Sequence, residues 1–327
     1  MKNIKNLAAL FAAVICSIVI AFNTNFASAQ SYPNKPIHII VPYPAGGPND
    51  TLARLVGQKF TEKLGGQVVI ENRPGAGGNI AAAYVAKSPA DGYTILLPAI
   101  AYAVNPFLFD KSPYQYDNFS PIGIVAKGPL ILVAHPSLNL RSVRDLISLA
   151  KSKPGQITFA SGGTGSSPHL AGELFKTEAN IDITHVPYKG TSEFMADLMS
   201  GRTSISFANP LVIKQHIESG ALNALAVTSS QPTRAFEKIP AIAQSGVPTY
   251  EFEAWYALMA PSGTPNDIIG KLNRALIDGF KSSEVNDKLT SLGIESSGLT
   301  PKQTENYINS EISKWGRIIK LNNIKAD

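Results

Sequence analysis

Two stretches of this sequence, more than a hundred residues apart, repeat one pattern: an apolar strand, a loop of small residues, then an amphipathic helix. They are IHIIVPYPAGGPNDTLARLVGQKF and TFASGGTGSSPHLAGELF. In the first, Ile37, Ile39, Ile40 and Val41 read as buried strand and residues 42–48 as a loop. Asn49 or Asp50 caps a helix with Leu52, Leu55, Val56 and Phe60 on one face. In the second, Ile157, Thr158 and Phe159 run into seven small residues at 161–167, and Leu170, Leu174 and Phe175 mark a helix face. Ser167 is the expected N-cap and Pro168 the first helical residue. Each loop therefore ends at the open amides of a helix, where the dipole holds an anion without a basic side chain. One such loop is an ordinary strand-to-helix connection. Two of them imply two α/β lobes facing one cleft, each presenting a helix N-terminus.

The first 29 residues stand apart from the fold. Lys2 and Lys5 precede an apolar stretch from Leu7 to Phe22, and Ala27-Ser28-Ala29 is an A-x-A cleavage site, so residues 1–29 read as a secretory signal peptide. The single cysteine, Cys16, falls inside it. The mature chain is then expected to have no disulfide, thiol nucleophile or thiolate metal site, and packing alone must stabilise it. Loss of Lys2 and Lys5 lowers the formal charge from +5 to +3. That balance is too weak and dispersed to argue for nucleic acid. Roughly 300 residues can bury about three quarters of their surface and commonly divide into two domains.

Strands and helices alternate along the first part of the chain: strands at 67–71 and 94–97, a small alanine-rich helix at 79–87, then residues 105–109 leading through a Pro/Tyr-rich loop to a strand at 122–125. The pattern restarts near Lys127-Gly128-Pro129. Strands follow at 130–134, 183–186, 204–207 and 222–228, and helices at 142–151, 191–199 and 211–219, the first opened by Ser142 with Asp145 three residues on. A return strand at 252–260 precedes a mostly helical end, in which Thr264-Pro265 and Thr300-Pro301 each pair a cap with a proline. Such alternation argues for mainly parallel sheets flanked by helices. A chain leaving the first lobe near 125 and returning near 256 makes two antiparallel crossing strands, with residues 30–125 and 256–327 as lobe 1 and 126–255 as lobe 2. A ligand would sit at the interface.

Several chemistries find little support. Gly75 to Gly78 resembles a dinucleotide fingerprint, but Ile80 occupies the third glycine position. Neither a P-loop nor a G-x-S-x-G elbow is present. His38, His135, His169, His185 and His216 are scattered, so no metal is expected. His169 beside Ser166 could act as a base, but the nearest acid, Glu173, lies one turn along the same helix.

Taken together, YPNKPIHIIVPYPAGGPNDTLAR, VVIENRPGAGGNIAAAYVAKSPADGYT, the 158–175 stretch, HVPYKGTSEFMADLMSG, ALAVTSSQPTRAFEKIPAIAQSGVP and KWGRIIKLNNIKAD resemble the Bug family. These are periplasmic solute receptors of tripartite tricarboxylate transporters. The resemblance runs from Tyr32 to Asp327. It implies an α/β, two-lobed, type II periplasmic-binding-protein fold joined by two crossing strands, with no catalytic residue, cofactor or metal. The implied role is capture of a small carboxylate by a periplasmic monomer and its delivery to membrane transporter subunits. The alternatives are signalling to a membrane sensor kinase or, further off, hydrolysis in the same cleft. Carried over by position, Tyr43, Pro44, Ala45, Gly46 and Gly47 form the first-lobe loop, with Tyr43 as aromatic wall. Thr164, Gly165, Ser166 and Ser167 hold the carboxylate from the second lobe, and Ala101, Tyr102, Tyr188 and Asn209 line the sides. The chain departs from the family at three places. Pro98-Ala99-Ile100-Ala101-Tyr102 stands where small polar residues are frequent, Ala208 where an acid is common, and Ala45 where a second proline is frequent. These departures imply a ligand more apolar or aromatic than citrate.

Overall fold

The structure, a computed structural model, describes residues 32–325 apart from 292 and 323. The leader expected at 1–29 lies outside the described residues. In one sheet, β1 (Ile37–Val41) lies between β2 (Val68–Asn72) and β3 (Thr94–Leu96), parallel to both. Beyond β3 come β10 (Ala254–Pro261) and β4 (Phe119–Gly128), each antiparallel to its neighbour, in the order β2-β1-β3-β10-β4. The other sheet repeats the plan. Here β6 (Thr158–Ser161) lies parallel to β7 (Thr184–Pro187) and β8 (Ile205–Ala208), and β5 (Ile131–Ala134) runs antiparallel to β8 and β9 (Asn223–Val227). The parallel triplets come from strand-helix-strand crossovers. The antiparallel pairs come from the segments that carry the chain between lobes, since β4 passes into β5 and the chain leaving β9 returns as β10.

The crossing is pinned by one hydroxyl. Thr228 Oγ1, fully buried, accepts from Leu130 N at 2.7 Å and donates to Phe252 O at 2.8 Å. The outgoing and returning segments are thus tied at one point.

Ten helices flank the sheets among the described residues: α1 (Pro48–Leu64), α2 (Asn79–Ala86), α3 (Ala101–Leu108), α4 (Val143–Ser152), α5 (Ser167–Glu178), α6 (Thr191–Met199), α7 (Pro210–Glu218), α8 (Asn266–Phe280), α9 (Ser283–Thr290) and α10 (Pro301–Asn322). α1 buries Leu52, Val56 and Phe60 as its periodicity requires, and meets α8 where Gly279 allows it. A Cβ on Gly279 would stand 2.7 Å from Lys59 Cβ. α10 opens with a reciprocal box, Thr300 N donating to Gln303 Oε1 and Gln303 N to Thr300 Oγ1. It is anchored by Glu311, whose Oε2 accepts from the indoles of Trp255 at 3.1 Å and Trp315 at 3.2 Å.

Several local expectations are corrected. α5 begins one residue early: Ser166 is its N-cap and Pro168 the second residue, because any first-turn amide lacks an intrahelical acceptor and proline fits there equally well. α1 is capped by Gly47, with Pro48 first. Asp50 acts from inside the helix, accepting from Gly46 N at 3.0 Å and pairing with Arg54. α8 starts at Asn266 with Pro265 at the cap, and Thr264 Oγ1 donates to Pro261 O. In α4, Ser142 caps Asp145 N as expected, but the Asp145 carboxylate reaches Arg141 N rather than Ser142 N. Of the stretch read as a lead into a loop at 105–109, residues 105–108 belong to helix α3, which holds Pro106 inside it. The two prolines at 98 and 106 hid a helix whose apolar burial outweighs the proline cost.

Candidate functional site

Both repeated loops turn toward one cavity of about 50 Å³. From the first sheet come Tyr43, Pro44 and Gly47, at the start of α1. From the second come Gly162, Ser166 and Ser167, at the start of α5. Gly190 and Thr191 at the start of α6 and Asn209 at the start of α7 complete a ring of four helix N-termini. First-turn amides have no intrahelical acceptor, so four positive dipole ends converge on one space. Apolar walls come from Leu130, Phe194 and Val212.

Two hydroxyls in this cavity have no hydrogen-bond partner. Ser166 Oγ, on a residue only 6% exposed, and Tyr43 OH are both buried and unsatisfied. A buried polar atom without a partner costs about 1–3 kcal/mol, so each marks a position where a guest oxygen would recover energy. Burial pushes the Tyr43 hydroxyl well above the ordinary tyrosine pKa, which keeps it a donor. A third hydroxyl is oriented: Tyr256 OH accepts from Asn209 Nδ2 at 2.9 Å, leaving its own proton to give, while Asn209 Oδ1 caps Leu211 N. Burial raises the Tyr256 pKa likewise.

The lobes meet across this cavity at backbone distance. A Cβ built on Gly190 would lie 2.9 Å from Pro44 Cγ, one on Gly47 3.4 Å from Thr191 Oγ1, and one on Gly77 3.0 Å from the Thr164 carbonyl. A side chain at Gly190 or Gly77 would press on the opposite lobe, whereas one at Gly47 would make an ordinary contact.

Other expected residues fall elsewhere. The Gly165 amide donates to His169 Nδ1 at 3.1 Å, so it shapes the loop from behind rather than offering a free donor. Its φ of +79° and the 2.6 Å that a Cβ would leave to Asn105 Oδ1 explain the glycine. Thr164 meets the opposite lobe through its carbonyl, beside Gly77. Ala45 and Gly46 are exposed, and Gly46 N is taken by Asp50. Ala101 and Tyr102 line a smaller void of about 10 Å³ behind Ala99. There Tyr102 stacks on Tyr114 at 5.4 Å and donates its hydroxyl to Tyr116 O, in an aromatic cluster set apart from the inner cavity. Tyr188 lines an outer chamber of about 370 Å³, and its hydroxyl donates to Asp197 at 2.7 Å. Burial and that carboxylate raise its pKa to about 12. Ala208 is buried within β8.

His169 and His185, sixteen residues apart in sequence, pack with ring centroids 4.3 Å apart and planes tilted by 38°. Burial, then the neighbouring His185, drives the His169 pKa down to about 3, so the ring is neutral and its Nδ1 holds the Gly165 amide. Ser166 Oγ is not hydrogen-bonded to it. No group of three or more His, Cys, Asp or Glu among the described residues is placed to hold a metal.

Sequence reasoning missed Tyr256, Ala99 and Thr191. Tyr256 and Ala99 meet as an isolated bridge between strand and loop, a pairing that no local signal announces. Thr191 was legible in principle, because Gly190-Thr191 opens a helix just as Asn209-Pro210 does.

The sequence profile described as "Tripartite tricarboxylate transporter family receptor" matches residues 52–324. Among curated proteins, Protein BugT of Bordetella pertussis is 37% identical, over 96% of this chain and 98% of its own. Among solved structures, R. palustris Rpa4515 with adipate superposes with a TM-score of 0.87 at 36% identity, covering 90% of this chain and all of that one. The periplasmic binding protein BugD does so at 0.86 and 29% identity, with 90% and 100% coverage.

Proposed function

The chain belongs to the tripartite tricarboxylate transporter receptor family, a family of periplasmic binding receptors and not of enzymes, and from that premise we propose that it captures a small carboxylate between its lobes for delivery to a membrane transporter. The observation that carries this reading is the pair of buried, partnerless hydroxyls on Tyr43 and Ser166 inside a ring of helix N-termini. The site holds donors and positive dipole ends, with no basic side chain among the residues lining the inner cavity. It therefore matches a carboxylate, which only accepts, and disfavours a cation or a neutral sugar. Three or four charge-assisted hydrogen bonds of about 1.5–3 kcal/mol each, less ordering costs, reach the ~8 kcal/mol of micromolar binding. Tyr43, Pro44, Gly47, Ser166, Ser167 and Asn209 form the carboxylate end of the site. The apolar walls favour a guest with a hydrocarbon or aromatic body over citrate.

A related receptor, Rpa4515, was solved with adipate, a carboxylate of this kind. The protein works in the periplasm after loss of residues 1–29, with residues 126–255 as the lobe that closes on the other. Mass spectrometry of ligand released from purified protein, with calorimetric titration of citrate, aromatic acids and straight-chain acids, tests the reading. Micromolar binding of a carboxylate is expected. Failure of every carboxylate to bind below millimolar concentration would refute it.

A further inference from the structure

Behind the second-lobe loop runs a chain of side chains, none of which lines the inner cavity. Gly163 and Gly165, with φ of +108° and +79°, each spend their amide on a side chain of their own lobe. The Gly163 amide donates to Ser161 Oγ at 3.1 Å, and the Gly165 amide to His169 Nδ1 at 3.1 Å. Those two acceptors are joined. Ser161 Oγ is hydrogen-bonded to His185 Nε2 at 2.7 Å, and the His185 ring packs on that of His169. Phe159 stacks on His185 with centroids 4.9 Å apart. Since β6 supplies Phe159 and Ser161, β7 His185 and α5 His169, three elements grip one loop.

What this brace fixes is the end of the loop. Ser166 N donates to Gly163 O at 3.1 Å, closing a turn with Thr164 and Gly165 at its centre. The turn delivers Ser166 to the N-cap of α5, where its partnerless hydroxyl meets the cavity. A recognition group is only as well placed as the residues that hold it. An imidazole suits the position: buried and neutral, it accepts from Gly165, whereas a carboxylate there would set a like charge behind a bound anion.

Resting on the carboxylate reading above, we infer that His169 is a positioning residue for the guest: acting through Gly165, and jointly with the His185–Ser161 pair, it holds the 163–166 turn so that Ser166 Oγ meets the carboxylate.

The test is a double-mutant cycle read by calorimetry, with urea unfolding alongside. Every variant is titrated with the acid that the wild type binds tightest among straight-chain and aromatic carboxylates. His169→Phe keeps a ring of similar size but removes the acceptor, and should weaken binding about tenfold, as much as Ser166→Ala. The double variant should be no weaker than either single one, because the hydroxyl that His169 places is already gone. His169→Asn offers an oxygen near the place of Nδ1 but forgoes the ring contact. It should bind within about threefold of wild type while unfolding more readily. Additive losses in the double variant, wild-type affinity in His169→Phe, or affinities that follow the unfolding midpoints across the set would each overturn the inference. Should His169→Phe fail to fold, Ser161→Ala, which strips the acceptor from the Gly163 amide, must show the same loss and the same lack of additivity. A wild type that binds no carboxylate would instead refute the carboxylate reading itself.

Discussion

Gly190→Ala separates closure of the cleft from folding of the lobes. Gly190 has an extended backbone, φ 177° and ψ −180°, which any residue adopts, so alanine brings no backbone strain to its own lobe. Across the cleft, however, the new methyl would stand 2.9 Å from Pro44 Cγ and 3.0 Å from Pro44 Cδ. Carbon atoms prefer about 3.5–4.0 Å, and a proline ring cannot swing aside as a long side chain does. Overpacking of this kind costs about 1–3 kcal/mol, which reduces affinity about 5- to 150-fold. Gly190 is also the N-cap of α6, where glycine exceeds alanine by at most about 1 kcal/mol, and that smaller cost acts on folding without ligand. Calorimetry should show the affinity loss, while urea unfolding of the ligand-free protein shifts by less. Pro44→Ala in the same background should restore part of the affinity, because it removes the atoms that the methyl meets. Unchanged affinity, or a stability loss as large as the binding loss, would refute the reasoning. Gly165 is a poorer place for such a wedge, since its φ of +79° strains any side chain.

Ser166→Ala removes a buried hydroxyl with no partner, so the ligand-free melting temperature should hold or rise while carboxylate affinity falls about tenfold; a melting temperature that drops with affinity intact would mean the hydroxyl is structural. Glu311→Ala strips the acceptor from two buried indole donors and should cost about 2–4 kcal/mol in urea unfolding with little change in binding, which an unshifted midpoint would contradict. His169, held at a pKa of about 3 against an ordinary 6.5, takes up its proton more readily in the unfolded chain. Stability should therefore be intact above pH 6.5 and fall as pH drops toward 3, by up to about 1.4 kcal/mol per pH unit. His169→Gln should flatten that slope, and a wild-type profile already flat across the window would exclude this account.

The sequence by itself determined the repeated strand, loop and helix, because each is a local matter: β-branched runs, small residues, and a cap followed by apolar residues at helical spacing. It thereby placed the loops 42–48 and 161–167 at helix starts, the family resemblance added Asn209, and the structure brings Tyr43, Pro44, Gly47, Ser166, Ser167 and Asn209 to one cavity. Cap positions slipped by one or two residues, since Ser166 and Ser167, or Gly47 and Asn49, differ little in local preference and packing selects between them. Tertiary structure alone decided which amides stay open. Gly165 faces the loop in sequence, yet His169, four residues on, accepts the hydrogen bond of its amide. It also decided that Tyr102 turns into an aromatic core, that Tyr256 joins the site from a strand more than 150 residues beyond Ala99, and that glycine stands at 77 and 190, where the opposite lobe presses closest. Such outcomes depend on which surfaces meet when two lobes pack. No window of neighbouring residues carries that information.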